Sequence, residues 1–183
     1  MNTGHSGRAI TFLEQSLGSP LQWFIRMLHF NELPFKHVIK KVYGIAQGPN
    51  VFGGSITKSL KNCETLPIVK FKAISTVFPD IDFQDLSTDQ KYLQDIANAV
   101  SSGVCSKALA LKQPGTLSLS RWLNTASRFL RQYISTISPT VNLNEVVTYI
   151  MKVYVPLWFT IKKEKSRIDG PKHLHWFMKA TRF

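Results

Sequence analysis

Acidic side chains are scarce in this sequence: 11 Asp and Glu stand against 23 Lys and Arg, for a net charge of +12 over 183 residues. Such an excess repels itself in a compact state and attracts phosphate or other anionic surfaces. Cysteine is nearly absent. Cys63 and Cys105 are the only two, so no disulfide framework is required and a reducing, intracellular setting is expected. A long hydrophobic run is missing too. The most apolar stretch, Val146 to Ile161, is interrupted by Lys152 and Pro156 and falls short of the roughly 20 residues that span a bilayer. It reads as a buried helix, with no membrane partner, and the polar N-terminus shows no signal peptide.

Several catalytic signatures are absent as well. No glycine-rich loop leads into Lys-Ser/Thr, and Gly53-Gly54-Ser55 lacks a preceding strand. There is no Gly-x-Ser-x-Gly elbow, and Cys105 has no neighbouring histidine to activate it. The aspartates at 80, 82, 85, 89 and 95 match no calcium-loop order and read as a solvated linker and helix start. His29 and Glu32 lie three apart, with His37 eight residues beyond His29. A zinc site needs three or four ligands, so a structural His-Glu hydrogen bond is the stronger reading. His173 and His175 sit beside Trp176 and Phe177 and read as packing. No metal or cofactor is expected.

Hydrophobic residues make up 44% of the chain, enough for a core. Charge divides it into three. Residues 1–75 hold nine basic and three acidic residues, 76–106 one basic and five acidic, and 107–183 thirteen basic and three acidic. An acidic block thus separates two basic parts, and segments are expected at 1–75, 76–117 and 118–183.

Along the chain, Arg8 to Leu17 reads as a helix stopped by Gly18. Pro20 to Phe30 fits a strand or a helix. Pro34 to Tyr43 reads as a helix with proline at its first position and Gly44 past its end. A glycine-rich loop over 44–54 and a short helix over 56–62 follow. Leu66 to Ile74 alternates weakly, as an extended segment would. Ser87 with Gln90 forms a capping box for a helix ending near Ser102, before Gly103. Residues 107–116 read as a linker broken by Pro114-Gly115. A basic helix is expected from about Ser120 to Ile137, and Asn142 with Glu145 opens another that Pro156 should bend or break. Lys162 to Lys172 reads as a charged linker. There are no internal repeats, and the chain is mostly helical.

The richest stretch is Ser118 to Tyr133. Leu123, Ala126, Leu130 and Tyr133 recur at helical spacing, so one face can bury. Arg121, Arg128 and Arg131 have no acidic neighbour there, and Trp122 adjoins the first. Cations beside an exposed aromatic suit a nucleic-acid backbone and a base face. The plain alternative is a core helix with a solvated basic face. Lys162, Lys163, Lys165 and Arg167 form a short basic run, suited to a nuclear address or to phosphate contacts.

Two groups of segments resemble a known family. One comprises Asn2-Thr3-Gly4, Phe12-Leu13-Glu14, Pro20-Leu21-Gln22-Trp23 and His29-Phe30-Asn31-Glu32-Leu33. The other is Ser120-Arg121-Trp122-Leu123-Asn124. In this order they resemble the middle of hAT-like transposases, over Asn2 to Glu32 and Leu119 to Lys162. The resemblance implies a helical, bundle-like insertion domain, joined to a partial RNase H-like α/β edge of one or two short strands at the N-terminus. It marks His29, Asn31 and Glu32 as family-motif residues and puts Arg121 and Trp122 near transposon-end DNA. Arg26 stands where the family has cysteine. The family's three catalytic carboxylates would fall before Met1 and beyond Phe183, so the resemblance implies a non-catalytic nucleic-acid-binding remnant. Nuclear DNA is the expected partner. An acidic protein partner or a second copy of the chain, served by a basic helical interaction module, and a vestigial product without function are the alternatives.

Overall fold

A computed structural model describes residues 15–16, 18, 27–44, 56–115 and 122–163. The side chains of 27–30 and Thr57 are outside the described set. Among the described residues the protein is mainly helical and contains no strand. The helices are α1 (Met27–Tyr43), α2 (Ile56–Lys61), α3 (Thr88–Ser102), α4 (Lys107–Leu111), α5 (Trp122–Tyr133), α6 (Val141–Tyr149) and α7 (Val155–Lys163). A π-turn, Ile150–Tyr154, joins the last two, and 3-10 turns cover Cys63–Thr65 and Phe83–Asp85. The expected helix over 8–17 and loop over 44–54 lie almost wholly outside the described residues, as does most of the segment 20–30.

Helix α5 is the axis of the molecule. Every residue from Asn124 to Arg131 is buried. Helix α3 packs along it, and α1, α2 and α6 also contact it. Leu93, Ile96, Ala97 and Val100 form the buried stripe of α3, at the spacing of one helix face. A single hydrophobic cluster unites Phe35 and Leu60 with Leu93 and Ile96 and with Phe129, Val147 and Trp158. It therefore draws on all three charge-defined segments. No helix among the described residues is long and apolar enough to cross a membrane.

The ends of α3 follow the sequence signals. Gln90 Oε1 accepts from the Ser87 N–H at 3.1 Å, which completes the capping box. Gly103 adopts φ 77° and its N–H returns to Ala99 O at 2.9 Å. Gly44, at φ 83°, ends α1 in the same left-handed conformation.

Other boundaries differ from expectation, each for a local reason. Helix α1 starts at Met27, so Pro34 lies inside it and not at its first position. Residues 107–111 form a helix because the Ser106 hydroxyl accepts from the Leu109 N–H at 3.1 Å and Leu109 is buried. The N-cap of α6 is Thr140, whose Oγ1 accepts from the Leu143 N–H at 3.2 Å. Asn142 lies within the helix, and its side chain donates to Val42 O at 3.2 Å, tying α6 to the end of α1. The basic helix ends at Tyr133, earlier than Ile137. Pro156 does not break its helix. The chain widens into the π-turn immediately before it, which makes room for a ring that would clash with the preceding turn and cannot donate a hydrogen bond.

Leu66 to Ile74 is extended but pairs with no strand. With residues 75–82 it forms a strap whose Ile68, Phe71, Ile74, Phe78 and Ile81 lie against the core. Its N–H groups serve helix ends instead of a ladder: Val69 donates to Ile134 O and Ile74 to Val100 O, both at 3.0 Å. Tyr133 Oη donates to Lys72 O at 2.8 Å, and the Thr76 N–H donates to Ser101 Oγ at 2.9 Å. Carbonyls at helix C-termini otherwise lack partners.

The strap passes close to Gly103, where an added Cβ would sit 3.2 Å from the Ala73 Cβ. Gly103→Ala would thus meet both a left-handed backbone and a tight neighbour. It is expected to destabilise the fold by about 1–2 kcal/mol, read from the denaturant midpoint. An unchanged midpoint would contradict this docking of the strap on α3.

Candidate nucleic-acid interface

The residues expected to face nucleic acid on α5 face the interior. Trp122 is 7% exposed and meets Phe35 edge-on, with ring centroids 5.5 Å apart. Arg128 and Arg131 are 6% and 1% exposed. This corrects the expectation that Trp122 stacks on a base and that the two arginines contact phosphate. A stacking ring needs an open face, and these guanidinium groups are already occupied by the protein's own main chain.

Arg128 Nε donates to Gly115 O at 2.7 Å and Nη2 to Pro114 O at 3.2 Å. Its Nη1 donates to Leu60 O at 2.6 Å, Lys61 O at 3.2 Å and the Glu64 carboxylate at 3.0 Å. The guanidinium therefore caps the C-terminal end of α2, where helix carbonyls and dipole favour a cation. Arg131 donates through Nη2 to Leu66 O at 2.7 Å, Glu64 O at 3.4 Å and Ala110 O at 3.5 Å. Its Nη1 donates to the Ser135 hydroxyl. The sequence carries only a slight sign of this arrangement: Glu64 is one of three acids in residues 1–75.

Burial acts to raise the Glu64 carboxyl, but hydrogen bonds from its own backbone N–H and from Arg128 outweigh it and hold it below its ordinary value of 4.5. Burial pushes the adjacent Cys63 thiol up to about 12, despite the lowering influence of Arg128. A thiol so enclosed is not a nucleophile at neutral pH.

Arg121, Lys165 and Arg167 lie outside the described residues. Lys162 is half-buried and Lys163 exposed, in the last turn of α7. The backbone of His29 belongs to α1, and its side chain is outside the described set. Asn31 is buried, and its Nδ2 donates to Tyr154 O in the π-turn at 3.0 Å. Glu32 is half-buried and His37 exposed. No three His, Cys, Asp or Glu groups among the described residues could hold a metal ion. Asp82 accepts from the Gln84 N–H at 2.9 Å, and Asp95 pairs with Lys112 at 3.1 Å, as a solvated linker and helix would have them.

Among the described residues the cationic surface that remains is lysine. On α1 the positions Asn31, Phe35 and Ile39 turn inward, while Leu33, Lys36, His37, Lys40 and Lys41 turn outward. None of these lysines stood out as a site in the sequence; their i, i+3, i+4 spacing on the expected helix over 34–43 is the signal that marks them. Lys58 and Lys61 on α2 and Lys70 and Lys72 on the strap are also exposed. Other lysines are engaged: Lys91 lies 5.0 Å over the Phe83 ring, and Lys152 donates to Ser75 O.

A second surface feature is an open groove of about 610 Å³ between α3 and the 104–112 segment, lined by Asn98, Ser102, Val104, Ser106, Ala108 and Lys112 among others. Its hydroxyls are locally satisfied, Ser106 at the α4 cap and Ser102 against Ala99 O. No protein-family model, curated protein or solved structure matches the chain.

Arg128→Ala would leave Glu64 and several carbonyls unpaired in the interior. It is expected to cost about 3–5 kcal/mol of folding stability, measured by denaturant unfolding; a loss below about 1 kcal/mol would place the guanidinium in water. Glu64 has a lowered folded value, so its contribution is complete above 4.5 and is lost as pH falls below it. Glu64→Gln should therefore flatten the fall of stability over that acid range, and an unchanged slope would deny the Arg128 pairing.

Proposed function

We propose that the chain is a non-catalytic nucleic-acid-binding protein, derived from a hAT-like transposase and acting in the nucleus. The observation that carries the reading is the distribution of charge. The described arginines are withdrawn into the core, and the lysines of α1, α2 and the strap stay on the surface of a chain of net charge +12. A surface of point charges attracts the phosphate backbone and raises the rate of encounter with it. The family resemblance supports the same partner through its segments over 2–32 and 119–162. In this reading the helical body stands for the family's insertion domain, and the RNase H-like edge falls to the N-terminal segment. Lys162 and Lys163 add to the cationic surface, and Lys165, Arg167 and Arg121 add to the basic charge of the chain, whereas Arg128, Arg131 and Trp122 serve the fold.

A protein-interaction module is the second reading. It is favoured by Val104 and Leu111, which stand 71% and 85% exposed near the α3 groove.

Binding of the full chain to duplex DNA should weaken linearly in log–log form with salt, by a slope of about 0.9 per phosphate neutralised. Fluorescence anisotropy between 50 and 300 mM salt measures it, with heparin and an acidic protein as comparators. A flat salt response, or tighter binding to the acidic protein than to DNA, would move the assignment to the interaction module.

A further inference from the structure

The outward face of α1 has no structural task that accounts for its charge. Lys40 and Lys41 lie in the last turn, where the helix dipole favours cations. That effect is confined to the final turn, and Lys36 precedes it. Lys36 and Lys40 stand four apart, a spacing at which like charges on a helix mildly oppose one another. Among the described residues no hydrogen bond or ion pair engages the side chains of Lys36, His37, Lys40 or Lys41. Meanwhile the inward face is firmly held. Phe35 contacts the rings of Trp122, Phe129, Tyr149 and Tyr154 at centroid distances of 4.8 to 6.5 Å. The face is thus a rigid, convex row of cations with about 6 Å of axial rise between Lys36 and Lys40.

We propose that this face of α1, through Lys36, His37, Lys40 and Lys41, is a contact surface for the phosphate backbone of duplex DNA, engaged without base stacking or base reading. The inference rests on the nucleic-acid reading above and gives it a location and a mode. The mode follows from what the described surface lacks. Among the described residues the rings packed on α1 are in the core, and Phe83, the exposed large aromatic among them, lies under Lys91 in the acidic segment. Binding to single strands draws much of its strength from aromatic stacking. Lysine without aromatics responds to charge density instead, and a duplex presents one charge per about 1.7 Å of axis against about 3.4 Å for one strand. Lysine is also a point charge without the planar fork by which arginine reads guanine. The duplex is therefore favoured over the single strand of equal length, with no dependence on sequence.

The test uses the full chain, a fluorescent duplex of about 20 base pairs, the corresponding single strand, and a second duplex of unrelated sequence. Lys36→Gln/Lys40→Gln/Lys41→Gln is compared with Lys107→Gln/Lys112→Gln/Lys152→Gln, which removes equal charge from exposed positions outside that surface. Circular dichroism melting checks that both variants fold. The α1 variant is expected to bind duplex at least about tenfold more weakly at 100 mM salt, and to lose about 2–3 from the salt slope, roughly one per phosphate contact removed. The control variant should change far less, and both duplexes should bind alike. Equal losses in the two variants would overturn the location, leaving generic charge. Tighter binding to the single strand, or a preference between the two duplexes, would overturn the mode. Failure of the unaltered protein to bind any DNA would remove the nucleic-acid reading itself, and with it this surface.

Discussion

Two buried guanidinium groups hold this molecule together. Arg128 and Arg131 project from the central helix α5 and collect main-chain carbonyls from two irregular regions, Leu60 to Leu66 and Ala110 to Gly115. Neither region has a strand or long helix to satisfy its own backbone, and buried carbonyls without donors are costly. Arginine suits the task because its planar fork offers five donors in fixed geometry and is less strongly hydrated than an ammonium group. The short helix α2, the turn after it and the 110–115 segment therefore share one dependence. Each meets the core through α5.

What the sequence revealed and what it concealed divide along this line. Features encoded within four residues were legible: the Ser87–Gln90 box, the glycine stops at Gly44 and Gly103, and the short helix near 56–62. So was the inward stripe of α5, from Leu123 to Tyr133. The fate of Arg128 and Arg131 was not. Charged residues are almost never buried without partners, and most of their partners here are carbonyls 13 to 68 residues away, which have no side-chain signature. Leu66 to Ile74 was concealed for a related reason. Its extended form was visible, but its hydrogen-bond acceptors are the ends of α3 and α5, and alternation alone cannot tell a helix-capping strap from a strand. Pro34 and Pro156 misled because proline marks a disfavoured helix position, and tertiary packing together with a π-turn overcame the disfavour.

The withdrawal of arginine changes what the surface can recognise. Had Arg128, Arg131 and Trp122 faced outward, the protein would have offered bidentate donors and a stacking ring. With these in the core, the described surface carries lysines, which attract phosphate but lack the planar fork of arginine. The candidate site was thus legible in the sequence only as a net charge. Its position on α1 in place of α5 followed only from burial. The helix first expected to meet nucleic acid and the lysine face of α1 are different parts of the chain, and Phe35 against Trp122 links them.

Burying two cations beside a single carboxylate raises the question of how the interior stays balanced. Glu64 neutralises Arg128 directly at 3.0 Å. The remainder is met by oriented main-chain dipoles. Leu60 and Lys61 carbonyls at the end of α2 bring the negative pole of a helix to Arg128, and the carbonyls of Leu66 and Ala110 do the same locally for Arg131. Dipoles fixed in a packed backbone are little affected by salt, unlike exposed ion pairs. The electrostatics that stabilise the fold and those that would attract a polyanion are therefore separate. The first are buried, arginine-based and insensitive to ionic strength; the second are exposed, lysine-based and screened. Ionic strength can then weaken association with a charged partner while leaving the core intact, so a salt-dependent loss of binding by this protein reports on its surface and not on its unfolding.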